Sequence, residues 1–92
     1  MAARMDLLHE YTKPYSEEEK LDIWDKGLIS SDREPSEWRE DELGNLICYD
    51  DYGDRDSVFG WEVDHIIPIK DGGNNLRYNL RPLQWEANVK RN

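Results

Sequence analysis

Residues 61–92 read WEVDHIIPIKDGGNNLRYNLRPLQWEANVKRN, and this stretch decides how the rest of the chain is read. An acid directly precedes a histidine, Asp64-His65, inside the most apolar run of the sequence, residues 58–69. A loop with paired glycines, Asp71-Gly72-Gly73-Asn74-Asn75, follows. Asn79-Leu80-Arg81 then leads to a helix expected to start near Pro82, because proline is well tolerated at a first helical position. With residues 82–91 helical, Gln84, Asn88 and Arg91 share one polar arc, while Leu83 and Ala87 lie together elsewhere.

The chemistry these residues suit is phosphodiester hydrolysis. That reaction needs an activated water, charge neutralisation at the phosphate and help for the departing oxygen. A neutral imidazole, here His65, takes a proton from water near physiological pH. A divalent cation on oxygen ligands supplies Lewis acidity. One histidine, one carboxylate and one amide oxygen form a sufficient minimal set, and the segment holds Asp64, His65 and two downstream asparagines, Asn79 and Asn88.

Working outward, 92 residues allow a single domain. A chain of this size buries only roughly 60–65% of its unfolded surface, so four Trp, five Tyr and one Phe must supply much of the core. Ser16-Glu17-Glu18-Glu19 has the form of a capping box, which predicts a helix over 17–26 with Leu21, Ile23 and Trp24 as its apolar positions and Gly27 as its stop. Residues 1–15, closed by Pro14, are expected to be a loose arm before a domain of residues 16–92. Residues 28–42 are polar and acidic, with Trp38 as their anchor. Gly44-Asn45 signals a turn before a short strand, Leu46 to Tyr49. These elements make an α+β fold.

Cys48, the single cysteine, excludes an internal disulfide and a multi-cysteine zinc ribbon, and its apolar setting suggests a buried structural thiol. Neither a signal peptide nor an apolar run long enough for a bilayer is seen, so a cytoplasmic location without membrane contact is expected. The net charge of −9 runs against the usual basic signature of nucleic-acid binding. Its distribution is uneven: residues 61–92 carry five bases against four acids, and the first sixty residues carry 17 acids against seven bases. A polyanion-facing surface is therefore confined to the last third. The acidic runs at 17–19 and 40–42 are read as solvated faces.

Residues 61–92 closely resemble the HNH endonuclease family, with its ββα-metal (His-Me) finger. The matching elements are Trp61 to Pro68, Gly72-Gly73, Asn79-Leu80-Arg81-Pro82-Leu83, and Trp85 to Lys90. Tyr52-Gly53 and Ser57 to Gly60 look like the run preceding the motif in bacterial and phage members, so the likeness covers roughly residues 45–91. The resemblance implies a ββα-metal finger at the C-terminus with the N-terminal helix packed on it. His65 resembles the general base, Asp64 and Asn88 resemble the two ligands of one metal ion, and Asn79 resembles the asparagine that orients the loop and the catalytic histidine. Arg81, Lys90, Arg91 and Lys70 are the candidates for phosphate contacts.

Two departures shape the expectation. The cysteine pairs that hold a structural zinc in many members are absent, so no structural zinc is expected and Trp61, Trp85, Ile66, Ile69 and Leu83 should pack the finger. Asn rather than His at position 88 favours Mg²⁺ or Mn²⁺ over zinc. The implied activity is a metal-dependent DNA endonuclease that nicks as a monomer, with weak, salt-sensitive binding of low sequence specificity. The alternative is a non-catalytic or partner-dependent module of the same fold, docked through its acidic part on a larger basic protein.

Taken singly, these features are ordinary. A lone Asp-His pair is more often a surface salt link or a helix feature than a site, Gly72-Gly73 is a turn, and Asn79 is a turn or capping residue. Lys90-Arg91 suits the negative end of a helix, and His9 matches nothing. Their shared order and spacing carry the reading.

Overall fold

A computed structural model describes residues 14–91. The arm expected over residues 1–15, His9 included, lies outside them except for its last two residues, and Tyr15 packs against the core rather than hanging loose. In chain order the elements are helix α1 (Glu17–Trp24), strands β1 (Trp38–Glu40), β2 (Leu46–Cys48), β3 (Trp61–His65) and β4 (Leu80–Gln84), and helix α2 (Trp85–Arg91). Single 3-10 turns lie at Tyr49–Asp51, Ile69–Asp71 and Arg77–Asn79. β1 pairs with β2 and β3 with β4, each antiparallel, giving a small α+β fold.

The start of α1 follows from local sequence. Ser16 Oγ accepts from the Glu19 N–H at 3.1 Å, and Glu19 Oε1 accepts from the Ser16 N–H at 2.9 Å. Its end differs from the expectation at Gly27: the helix stops at Trp24 with Asp25 as its cap. Gly27 serves packing instead, since a Cβ there would meet Arg39 Cβ at 3.0 Å. Arg39 supplies the C-terminal acceptors' partner, its Nη1 donating to the carbonyls of Asp25 and Gly27. Ile23 and Trp24 are buried, whereas Leu21 is half exposed.

The core joins α1 to both sheets through Ile23, Trp24, Ile47, Trp61 and Leu80. Trp61 is fully buried, with the rings of Trp24, Tyr49 and Tyr52 centred 5.1, 5.9 and 4.9 Å away. Burying an indole this way requires a partner for its N–H. Trp24 donates to Pro35 O, Trp61 to Tyr49 O and Trp85 to Ser57 O. Each buried large side chain contributes about 1.5–3 kcal/mol, so this cluster is the chief support of a thin core. α1 also docks on β4, where Lys26 Nζ donates to the carbonyls of Arg77 and Leu80.

Several expectations are corrected. Pro82 lies inside β4, and the helix begins at Trp85. Trp85 N–H bonds Gly60 O and Ile66 N–H bonds Asn79 O, which makes 62/83 and 64/81 the hydrogen-bonded pairs of the ladder. Pro82 therefore faces Val63 across a non-hydrogen-bonded pair, where its missing N–H costs nothing. Gln84 is consequently a strand residue, and its Oε1 accepts from the Ala87 N–H in the first turn of α2. Ile66 is 39% exposed rather than packed in the finger, while Leu83 is fully buried and Ile69 and Trp85 are partly so.

The reading of residues 40–42 as a solvated acidic face fails at Asp41, which is fully buried. Its Oδ1 accepts from the N–H groups of Leu43 and Asn45, and its Oδ2 from Asn45 Nδ2 and the Gln84 N–H. Strand β1 was hidden in the polar stretch 28–42, because its three residues pair by register and not by apolar alternation. Cys48 is half-buried, and burial pushes its thiol above its ordinary value. Among the described residues no helix is long and apolar enough to cross a membrane.

Candidate functional site

Strand β3 carries Glu62 and Asp64 two residues apart, hence on one side of the ribbon. Helix α2, which follows β4 without a break, carries Asn88 and Arg91 three apart, hence on one helix face. The two faces meet as rungs. Asn88 Nδ2 donates to Glu62 Oε1 at 3.0 Å, and Arg91 Nη1 donates to Asp64 Oδ1 at 2.9 Å. The pairing 64/81 brings in Arg81 from the neighbouring strand, its Nε 2.8 Å from Asp64 Oδ2.

Asp64 is thus a buried carboxylate, 2% exposed, between two guanidiniums. Arg81 also donates to Glu42 Oε2 at 3.0 Å. Burial works against the Arg81 charge, but its bonds to Asp64 and Glu42 outweigh that and raise its pKa. Glu62 takes a forked contact from Arg55, with Nε and Nη2 at 2.8 and 3.0 Å, and this hydrogen bonding raises the pKa of Arg55.

His65 ends β3 and is nearly buried, its Nε2 2.6 Å from Asn75 Oδ1. The Asn75 amide oxygen accepts from Nε2 in the tautomer that carries the proton there, and that tautomer leaves Nδ1 as the ring's acceptor. The loop that brings Asn75 back is closed by Asn79. Its Oδ1 accepts from the Ile67 N–H, and its Nδ2 donates to the carbonyls of Ile67 and Asn74. Gly73 packs on the same peptide: a Cβ there would lie 1.7 Å from Ile67 O, so no other residue fits.

Asp64, His65 and Asn88 line one cleft of about 650 Å³, together with Glu62, Arg55 and Lys70. Tyr15 and Tyr52 form part of its wall. Burial, with Tyr52 and Glu19 adding to it, pushes the Tyr15 phenol up to about 12. Burial and the nearby Glu62 likewise raise Tyr52, so both phenols stay neutral at physiological pH. Among the described residues no three His, Cys, Asp or Glu side chains come together as a metal-binding group. The cleft's side-chain oxygens include the carboxylates of Glu62 and Asp64, the Asn88 amide and the phenols of Tyr15 and Tyr52.

The sequence-predicted residues are therefore distributed unevenly. The structure brings Asp64, His65 and Asn88 to one cleft and puts Asn79 beneath its loop. Of the four basic candidates, Lys70 lines the cleft, Arg81 and Arg91 turn onto Asp64, and Lys90 lines a separate cleft of about 370 Å³ beside Gln84 and Glu86. Sequence reasoning missed Glu62, Arg55 and Asn75. The two-residue spacing from Asp64 was a usable signal for Glu62; Arg55 and Asn75 offered none. No family model, curated protein or solved structure matches this chain.

Proposed function

We propose that this chain is a metal-dependent DNA endonuclease of the HNH type, with a ββα-metal finger formed by β3, β4 and α2. The observation that carries the reading is that Asp64, His65 and Asn88, from a strand that ends at His65 and a helix that begins at Trp85, line a single cleft. The donor chemistry fits one Mg²⁺ or Mn²⁺ ion, because carboxylate and amide oxygens are hard ligands. Asp64 is the buried carboxylate of the cleft, and two guanidiniums converge on it.

In this reading Asp64 and Asn88 hold the ion, which when bound supplies Lewis acidity at the phosphate and the leaving oxygen. His65 takes a proton from the attacking water at Nδ1, with Asn75 fixing the ring through Nε2. Asn79 positions the loop that carries Asn75, and Glu62 holds the Asn88 amide through its nitrogen. Lys70 is the phosphate contact that the cleft itself offers. With few unpaired cations nearby, DNA binding is weak and lost with salt. One site per chain nicks one strand.

Incubation with supercoiled plasmid and Mg²⁺ or Mn²⁺ tests the proposal. Relaxed circles are expected, absent with EDTA and reduced about 10²–10⁴-fold by His65→Ala. A folded chain that leaves the plasmid intact with every divalent metal overturns the catalytic reading. The result then favours the partner-dependent module, for which the 17 acids of the first sixty residues are the supporting feature.

A further inference from the structure

The guanidinium of Arg91 rests on three oxygens. Nη1 lies 2.9 Å from Asp64 Oδ1 and 3.2 Å from His65 O, and Nη2 lies 3.3 Å from Ile66 O. A carboxylate flanked by backbone carbonyls is also what a hard divalent cation seeks. A second cation on the same carboxylate would repel Arg91 at short range, most strongly in a buried setting.

The two arginines on Asp64 are held very differently. Arg81 stands on β4 in a hydrogen-bonded pair with Asp64, has Glu42 as a further acceptor, and its side chain is 13% exposed. Arg91 stands at the end of the seven-residue α2, and its side chain is 29% exposed. Last turns of short helices open at low cost. Arg91 is therefore the partner that can leave.

We propose that Arg91 is a displaceable internal cation: it closes the Asp64 site in the metal-free chain, and a divalent ion exchanges with it. The released guanidinium is then available to a phosphate at the same cleft, so that metal and polyanion favour each other's binding. This rests on the metal reading of Asp64 given above, and it deepens that reading by making the metal the switch for an anion contact.

Mn²⁺ binding to the full chain, followed by the electron paramagnetic resonance of the free ion, tests the exchange without recourse to activity. Arg91→Ala is expected to tighten Mn²⁺ about 5-fold or more, the low end of ordinary coupling between sites, and Arg91→Lys to give an intermediate value. Asp64→Asn should abolish the binding. In a second arm, a short fluorescent oligodeoxynucleotide should bind the native chain more tightly with Ca²⁺ than with EDTA, and Arg91→Ala should remove that difference. Mn²⁺ affinity lowered or unchanged by both Arg91 variants, with the Asp64 dependence intact, overturns the exchange and leaves the nuclease reading standing. Mn²⁺ binding that ignores Asp64→Asn overturns both.

Discussion

Two carboxylates of nearly equal burial, Asp41 and Asp64, separate a part of the molecule that holds shape from the part that lines the cleft. Asp41 lies in the turn between β1 and β2 and receives only neutral amide groups, three from the backbone and one from the Asn45 side chain. Asp64 lies at the end of β3 and receives two guanidiniums. Amide donors of the backbone cannot leave without unfolding a turn, so Asp41 is an architectural acceptor. Side-chain cations can leave on their own, so the charge on Asp64 can be passed to another partner. The same burial thus yields a fixed joint in one region and an exchangeable site in the other.

The largest expected effect on the fold is at Asp41. Asp41→Ala orphans the N–H groups of Leu43, Asn45 and Gln84, at about 1–3 kcal/mol for each donor left buried and unpaired. A loss of about 4 kcal/mol is a large fraction of the roughly 5–14 kcal/mol expected for a domain of this size. Urea unfolding followed by tryptophan fluorescence should show it, because Trp24 and Trp61 report directly on the core. The damage should spread to the cleft, since Gln84 links Asp41 to the first turn of α2, which carries Asn88 and Arg91. An Asp41→Ala chain as stable as the native one would erase the distinction between the two carboxylates.

Asp64→Asn should give the reverse pattern. The amide keeps an acceptor oxygen, Arg81 retains Glu42, and Arg91 retains the carbonyls of His65 and Ile66. The expected stability loss is about 2 kcal/mol, well short of the figure for an isolated buried charge. Plasmid relaxation should be abolished all the same. A variant that unfolds as readily as Asp41→Ala would make Asp64 a structural residue first, and retained nicking would remove it from the site.

How much of this was legible in the sequence follows the same division. Ser16-Glu19 was readable because a capping box closes over three residues, and Asp64-His65 because the pair is contiguous. Asp41 was not, since its burial depends on Gln84, forty-three residues away. Pro82 was misread for a related reason: its tolerance at a helix start is a local rule, whereas its place on a non-hydrogen-bonded pair is set by the register with Val63. Arg81 and Arg91 looked like phosphate contacts by charge alone, and only the pairing of β3 with β4 and the docking of α2 turn them onto Asp64. Local chemistry was visible in the chain, but which charges neutralise which was a property of the packing.

The smallest effect expected is a pH dependence confined to the architectural side. The Tyr49 phenol donates to Glu17, joining the first turn of α1 to the chain beyond β2. That hydrogen bond, with a second from Lys20, holds the Glu17 carboxyl below its ordinary value. Because the folded state binds this proton less readily than the unfolded chain, the link stabilises the fold above the ordinary carboxylate range. It is lost as pH falls through that range and below it. Burial, and then Glu17, raise the Tyr49 phenol, so the phenol end of the link persists throughout that acid window. Tyr49→Phe keeps the ring against Trp24 and Trp61 but removes the donor. The unfolding midpoint of the variant should therefore sit slightly below the native one at neutral pH, and the two should converge under acid, while Mn²⁺ affinity stays unchanged. Altered Mn²⁺ affinity in Tyr49→Phe would mean that the first turn of α1 reaches the cleft, and the two regions would then have to be treated as one.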